Sequence, residues 1–173
     1  MTYKNDLMKE LLIVDDGGLS AKIGDKFHDL GYNVSHYFHP QDALRLLRSG
    51  VSPGVIVSDV YSHPSMDGIK FAKIVRRKYP SANVYLWSGR FSVGDDYALA
   101  SLEAELRRLY LNKVIDGFAH KSPDRLTAAS TIVDLVTMGF EEFAEKYGLG
   151  IGLENVEGLM RILGINLSLG PTR

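Results

Sequence analysis

The 173-residue sequence has no cysteine, a single tryptophan, six prolines and almost no net charge. Without cysteine there are no disulfides, no thiolate metal sites and no cysteine nucleophile, and a reducing compartment suits such a composition. Lys and Arg total 20 against 21 for Asp and Glu, so no basic excess marks a nucleic-acid surface and no acidic block marks a solvating arm. Long apolar runs are also missing. Nowhere do about 18 apolar residues follow one another, and the start, Met1 to Glu10, has no apolar core of the signal-peptide kind. The expectation is a cytoplasmic protein with no membrane span and no nucleic-acid partner. What remains is 45% apolar and 24% charged residues, the balance of a globular chain, in a length that suits one domain with an appendage.

Short apolar runs alternate with amphipathic stretches. Leu11-Leu-Ile-Val14 ends at the turn cluster Asp15-Asp16-Gly17-Gly18, and Leu19, Ile23, Phe27 and Leu30 then recur at helical spacing up to Gly31. Tyr32, Val34 and Tyr37-Phe38 suggest a second strand. Pro40 opens a helix carrying Ala43, Leu44 and Leu47 that Gly50 closes. Val55-Ile-Val57 ends at Ser58-Asp59, and Asp67-Gly68 starts a helix that stops before Pro80. Val84-Tyr-Leu-Trp87 runs into Ser88-Gly89, Tyr97 to Leu111 is helical, and Gly117-Phe-Ala119 leads to Lys121. The Leu99, Leu102, Leu106 and Leu109 stripe is too short for a zipper and reads as core. Strands and helices alternating at this pitch predict an α/β domain: a doubly wound, five-stranded parallel sheet with helices on both faces.

Open parallel sheets bind ligands beyond the carboxyl ends of their strands. Asp15 and Asp16, Asp59, Ser88 and Lys121 all fall there. Three converging carboxylates call for a cation, and hard oxygen donors suit Mg²⁺. A lysine and a serine hydroxyl beside them have a task if a phosphoryl group arrives, and Asp59 could carry it as an aspartyl phosphate. In this order, Leu-Ile-Val-Asp15-Asp16, Ser58-Asp59-Val60, Met66-Asp67-Gly68, Trp87-Ser88-Gly89 and Gly117-Phe118-Ala119-His120-Lys121 resemble the receiver domain of two-component response regulators, from Lys9 to the middle of a long helix beginning at Asp124.

The resemblance implies a flavodoxin-like fold with Asp59 as phosphoacceptor for a histidine kinase or phosphotransfer protein. It implies Mg²⁺ held by Asp15, Asp16, Asp59 and the backbone carbonyl of Tyr61. Ser88 and Lys121 would contact phosphoryl oxygens, and Phe118 would be an aromatic switch that turns inward as Ser88 moves. The expected role is phosphotransfer signalling to a downstream protein, with hydrolysis of its own aspartyl phosphate, and not metabolic catalysis. The loop Val60 to Ser65 and the stretch between Ser88 and Lys121 exceed the family pattern, and Ser122-Pro123 stands where proline normally follows the lysine directly. Those departures motivate an alternative, a receiver-fold interaction module that acts without phosphorylation. A small-molecule phosphatase ranks lower, because no second general acid follows Asp59 closely. His36 and His39 lack a third ligand and read as surface residues, while His63 and His120 read as neutral neighbours of the site.

The receiver domain is expected over 9–146 and a C-terminal helical extension over 147–173, packed on the body or at an interface. Asp124 to about Tyr147 reads as one long helix, Gly148 to Gly150 as a break, and Val156, Leu159, Met160 and Leu163 as a further helical stripe before an extended end. From Asp124 onward there are four basic residues (Arg125, Lys146, Arg161, Arg173) against seven acidic ones (Asp124, Asp134, Glu141, Glu142, Glu145, Glu154, Glu157), which disfavours a DNA-reading module. The long helix is apolar on two sides. One should cover the sheet, and the other needs a lid from the tail or, as a homodimer through the C-terminal helices, from a second subunit.

Overall fold

A computed structural model describes residues 9–17, 20–61, 64–89, 96–121 and 125–149. Its elements are β1 (Lys9–Val14), α1 (Ser20–Asp29), β2 (Tyr32–Tyr37), α2 (Pro40–Arg48), β3 (Val55–Asp59), α3 (Gly68–Lys78), β4 (Asn83–Ser88), α4 (Asp96–Leu111), β5 (Gly117–His120), α5 (Arg125–Met138) and α6 (Phe140–Tyr147). The five strands form one parallel sheet in the order β2-β1-β3-β4-β5. The chain winds outward from β1 to β2, then crosses back to β3, which opens a crevice between the carboxyl ends of β1 and β3. Parallel strands covered on both faces need apolar residues on both, which is why Leu11 to Val14, Val55 to Val57 and Val84 to Trp87 are continuous runs rather than alternations, and all of them are buried.

Local chemistry sets the element ends. Gly31 and Gly50 close α1 and α2 at φ of +80° and +99°, a conformation that costs glycine little. Pro40 supplies the first turn of α2, whose buried face is Pro40, Ala43, Leu44 and Leu47. Asp67 caps α3, its Oδ1 accepting from the Lys70 amide at 2.7 Å. At the base of the sheet Arg76 ties α3 to β4 and β5: its Nε donates to the Val114 carbonyl (3.2 Å), its Nη1 to those of Pro80 (2.8 Å) and Ala82 (3.0 Å), and its Nη2 pairs with Asp116.

The single long helix expected from Asp124 to Tyr147 is in fact two. Gly139, at φ +84°, turns the chain between α5 and α6, and Gly148, at φ +68°, ends α6. An apolar periodicity that runs through the turn concealed it, because both helices bury one face in the same core. Ala128, Ala129, Ile132 and Leu135 of α5 and Phe140, Phe143 and Ala144 of α6 are all buried. Phe140 is keyed into β5: its ring lies 4.7 Å from that of Phe118 and 4.6 Å from that of Tyr110, and a Cβ on Gly117 would sit 2.7 Å from the Phe140 Cβ. The covering needed by the second side of α5 is thus supplied in part by α6. The expected helical stripe and extended segment beyond Gly150 lie outside the described residues.

A polar clasp reinforces α6 against α5, with Asp134 Oδ2 accepting from Lys146 Nζ at 2.6 Å and from the Tyr147 hydroxyl at 2.8 Å. Burial alone would push the Asp134 carboxyl up, but those two donors hold it below its ordinary 3.8. A depressed carboxylate contributes stability above its unfolded pKa and loses it as the pH falls through the folded value. Amide exchange in α6 is therefore expected to accelerate relative to α3 as the pH is lowered through 3.8, and Asp134→Asn should remove that difference. Equal pH responses in the two helices would show that the clasp does not secure α6.

Candidate functional site

The register of the sheet assembles the site. Val14 lies opposite Ser58, so Asp15 and Asp59 emerge side by side at the crevice between β1 and β3. Asp59 lies opposite Trp87 and Ser88 opposite His120, which brings Ser88 and Lys121 to the same end. The Lys121 amide donates to the Ser88 carbonyl at 2.8 Å, fastening the chain just past β5 to the end of β4.

At the centre, Lys121 Nζ donates to Asp15 Oδ2 at 2.8 Å and to Asp59 Oδ2 at 2.7 Å. Its ammonium also lies 4.4 Å from the centroid of the Trp87 ring, whose electron-rich face favours a cation. Asp15 is 0% exposed and Asp59 7%. Burial pushes the Asp15 carboxyl up, since the charged form loses hydration, and Lys121 pulls in the opposite direction. The remaining Asp15 oxygen accepts from the Gly17 amide at 2.6 Å, and Asp59 Oδ1 accepts from the Tyr61 amide at 3.2 Å. Asp16 is exposed, and one carboxylate oxygen from each of Asp15, Asp16 and Asp59 lies within 4.8 Å of the others. Three acids face one ammonium there, a set with the hard donors and the surplus negative charge that a divalent cation requires.

Ser88 completes the cluster. It is 0% exposed, and its Oγ has no hydrogen-bond partner. Leaving a hydroxyl buried and unpaired is costly, so its position at the strand end beside Lys121 marks it as waiting for an acceptor. Glycines leave room around the cluster that a side chain would fill. A Cβ on Gly89 would meet Lys121 Cδ at 3.2 Å, and one on Gly68 would meet the Asp59 carbonyl oxygen at 2.1 Å. Gly68 also donates its amide to the Val60 carbonyl at 2.9 Å, holding the start of α3 against the end of β3.

Asp15, Asp16, Asp59, Ser88 and Lys121 thus reach one end of the sheet, whereas Phe118 does not face the cluster. That ring is 0% exposed and already turned inward against Phe140 of α6. The structure also enlists residues that sequence reasoning set aside. His36, read as a surface residue, is half-buried, and its Nε2 lies 3.0 Å from the Asp15 carbonyl. A carbonyl can only accept, so that nitrogen carries the proton and braces the turn holding the acidic pair. The pairing of Ile13 with His36 creates this contact, and no local motif announces it. His39 is exposed, as expected, and His63 lies outside the described residues. Burial holds the His120 imidazole below the usual histidine range, so it stays neutral near pH 7. Trp87, counted in the sequence as part of an apolar strand, is also the wall behind Lys121.

No protein-family model matches the chain, and no curated protein matches it. Solved structures do. The chemotaxis protein CheY4 of Vibrio cholerae superposes with a TM-score of 0.55 at 23% identity, over 73% of this chain and 97% of that one. The signal receiver domain of an HD domain-containing protein from Pseudomonas fluorescens gives 0.57 at 19% identity, over 82% and 93%. The receiver domain of the Francisella response regulator 1452 gives 0.54 at 23%, over 73% and 95%. The chain therefore has the fold of response-regulator receiver domains, with an acidic cluster at the carboxyl end of its sheet. Among the described residues no helix is long and apolar enough to cross a membrane.

Proposed function

We propose that this chain is a phosphoacceptor response regulator, with Asp59 receiving a phosphoryl group from a phosphohistidine of a kinase or phosphotransfer protein. The observation that carries the reading is the placement of Lys121 Nζ between Asp15 and Asp59, next to a buried serine hydroxyl that lacks an acceptor. In the transfer an Asp59 oxygen attacks phosphorus, the P–N bond to the histidine breaks, and its electron pair returns to the imidazole, which takes up a proton. Lys121 then turns from carboxylate to phosphoryl oxygens, and the Ser88 hydroxyl gains the acceptor it lacks. Asp15, Asp16, Asp59 and the Tyr61 carbonyl would hold Mg²⁺, which when bound neutralises the carboxylates and the incoming phosphoryl charge.

The return path is hydrolysis by water, which restores the Asp59 carboxylate. Because Ser88 ends β4, Phe118 lies on the adjacent β5 and Lys121 directly follows it, a shift of Ser88 and Lys121 toward the phosphoryl group alters the β5 surface, where a downstream protein would read the change.

Incubation with acetyl phosphate or a phosphorylated histidine phosphotransfer protein and Mg²⁺, followed by intact mass measurement, tests the reading. One phosphoryl group should be gained by the wild type and none by Asp59→Asn. No gain from either donor would favour a module that acts without phosphorylation. The metal has a separate optical readout. Trp87 is the sole tryptophan of the chain and touches Lys121, so its fluorescence should change saturably with Mg²⁺. Asp15→Asn should weaken that response by at least about tenfold in Mg²⁺ concentration. An unchanged titration in the variant would remove Asp15 from the metal site.

A further inference from the structure

At the opposite end of the sheet, where β4 begins and β5 is about to start, lies a second concave site that the phosphoacceptor chemistry does not use. It is a cleft of about 490 Å³ between the base of β4 and β5, the turn after α4 and the start of α6. That volume is within the range of about 300–1,000 Å³ typical of small-molecule sites. Five strand steps from Asn83 to Ser88, about 16 Å at strand rise, separate it from the acidic cluster.

Its walls are aromatic and its rim is acidic. Tyr85, Tyr110 and Phe140 line it, with Asp116, Glu141 and Glu142 around them. Burial and the Asp116 charge push the Tyr85 phenol up to about 12, and burial and Glu141 push Tyr110 up as well. Both tyrosines therefore remain neutral at physiological pH, leaving the negative charge to the three carboxylates. Asp116 Oδ2 is already engaged by Arg76 and by the Val84 amide at 2.7 Å. Glu141 Oε1 accepts from the Tyr110 hydroxyl at 3.3 Å, which aligns a carboxylate with the edge of that ring.

The cleft also holds a cation of its own. Lys113 Nζ lies 5.1 Å from the centroid of the Tyr110 ring. Lys113 is the one non-glycine residue with positive φ, +57°, among the described residues. It closes α4 in the left-handed conformation, its amide donating to the Tyr110 carbonyl at 2.9 Å and that of Val114 to the Leu109 carbonyl at 2.9 Å. Glycine is the residue that this position accommodates most easily. The lysine found there, itself exposed, brings its ammonium over the Tyr110 ring, the face that a cationic ligand would use.

We propose that this cleft binds a small organic cation, an alkyl amine or alkyl guanidine, whose charged group displaces Lys113 from the Tyr110 face and pairs with Glu141. The aromatic walls supply cation–π attraction and cover the alkyl part, and the carboxylates supply the charge. Such a ligand would bridge the base of β5 to the α5–α6 turn at Gly139, and so would fasten α6 without touching the acidic cluster.

The two charged residues make opposite predictions, which keeps the test clear of general effects on folding. Agmatine is titrated into the full chain at low salt by calorimetry, with Tyr110 ring signals followed by NMR. Saturable one-to-one binding is expected. Glu141→Gln should weaken it by about three- to fivefold, the scale of an exposed charge pair. Lys113→Gly should tighten it by a similar factor, because it removes the internal competitor and suits the left-handed turn. Asp59→Asn should leave the affinity unchanged, so a failure of the phosphoacceptor reading and a failure of this one remain distinct. No saturation, a Lys113→Gly variant that binds more weakly, or tighter binding of pyrophosphate than of agmatine would each overturn the proposal. Stronger binding of an arginine-containing peptide than of free agmatine would also overturn it, by assigning the cleft to a protein partner.

Discussion

Lys121→Met will cost the fold about 3 kcal/mol in the presence of a chelator, near the lower end of the range for breaking a buried ion pair. For a chain of this size that corresponds to a fall in Tm of roughly 6–12 °C. Methionine keeps most of the apolar stem of the side chain, so what is lost is the ammonium, with its two carboxylate partners and its place on the Trp87 ring. Asp15, fully buried, and Asp59, nearly so, would face each other without the ammonium that joins them at 2.8 and 2.7 Å. The Gly17 and Tyr61 amides satisfy one oxygen of each but cannot cancel two like charges. Two controls follow. Millimolar Mg²⁺ should restore more stability to Lys121→Met than it adds to the wild type, because a divalent cation takes over the neutralising role. Lys121→Met combined with Asp15→Asn should recover much of the loss. Thermal melts of the three proteins with and without Mg²⁺ decide it, and a Lys121→Met protein as stable as the wild type in chelator would show that the carboxylates do not depend on Lys121.

Two glycine-to-alanine exchanges in helices will act with opposite signs. In an open helix interior alanine is favoured over glycine by about 1 kcal/mol. Gly24, within α1, has nothing within 4 Å of the position its Cβ would take, so Gly24→Ala should stabilise the chain by about 0.5–1 kcal/mol. Gly68 opens α3 with the Asp59 carbonyl oxygen 2.1 Å from that position, and with the Asp59 carbonyl carbon at 2.9 Å and Ser58 Oγ at 3.1 Å. These neighbours are mostly backbone, which cannot rotate away as a flexible side chain can. The start of α3 would have to withdraw by about 1 Å, straining the Gly68 to Val60 hydrogen bond, and overpacking of this kind costs about 1–3 kcal/mol. Gly68→Ala should therefore destabilise by about 2 kcal/mol. Because the clash is with the backbone of Asp59, the proposed function adds a second expectation, slower phosphorylation of whatever protein remains folded. Urea midpoints of the two variants measure the contrast, and two shifts of the same sign would refute the steric account.

Much of this was open to sequence reasoning. The sheet was legible because parallel strands buried on both faces must be continuous apolar runs, and each of those runs leads into a polar residue of the candidate site. Asp15, Asp59, Ser88 and Lys121 could be picked out because a polar residue directly after such a run has few tasks in a core. Residues that act through contacts between distant segments were not legible in this way. His36 reaches the Asp15 carbonyl only because β2 pairs with β1 in a particular register, and Trp87 backs Lys121 only because β4 and β5 are adjacent. The division of α5 from α6 escaped for a related reason. Gly139 interrupts a helical periodicity without interrupting its hydrophobicity, and a glycine's φ is set by what the following helix can reach, here the space above Gly117 that Phe140 fills.

The order of apolar runs and polar strand ends, a local property, determined the fold class and nominated the acidic cluster. Tertiary structure decided the rest: which carboxylates share the ammonium of Lys121, that the Ser88 hydroxyl is buried unpaired, that Phe118 is locked against α6, and that a second, acidic and aromatic cleft exists at the far end of the sheet. The physical reason is range. Backbone propensity and hydrophobic period act over a few residues, whereas shared charge, unsatisfied hydrogen bonds and cavities depend on atoms brought together from segments tens of residues apart, and become defined only once the chain has closed on itself.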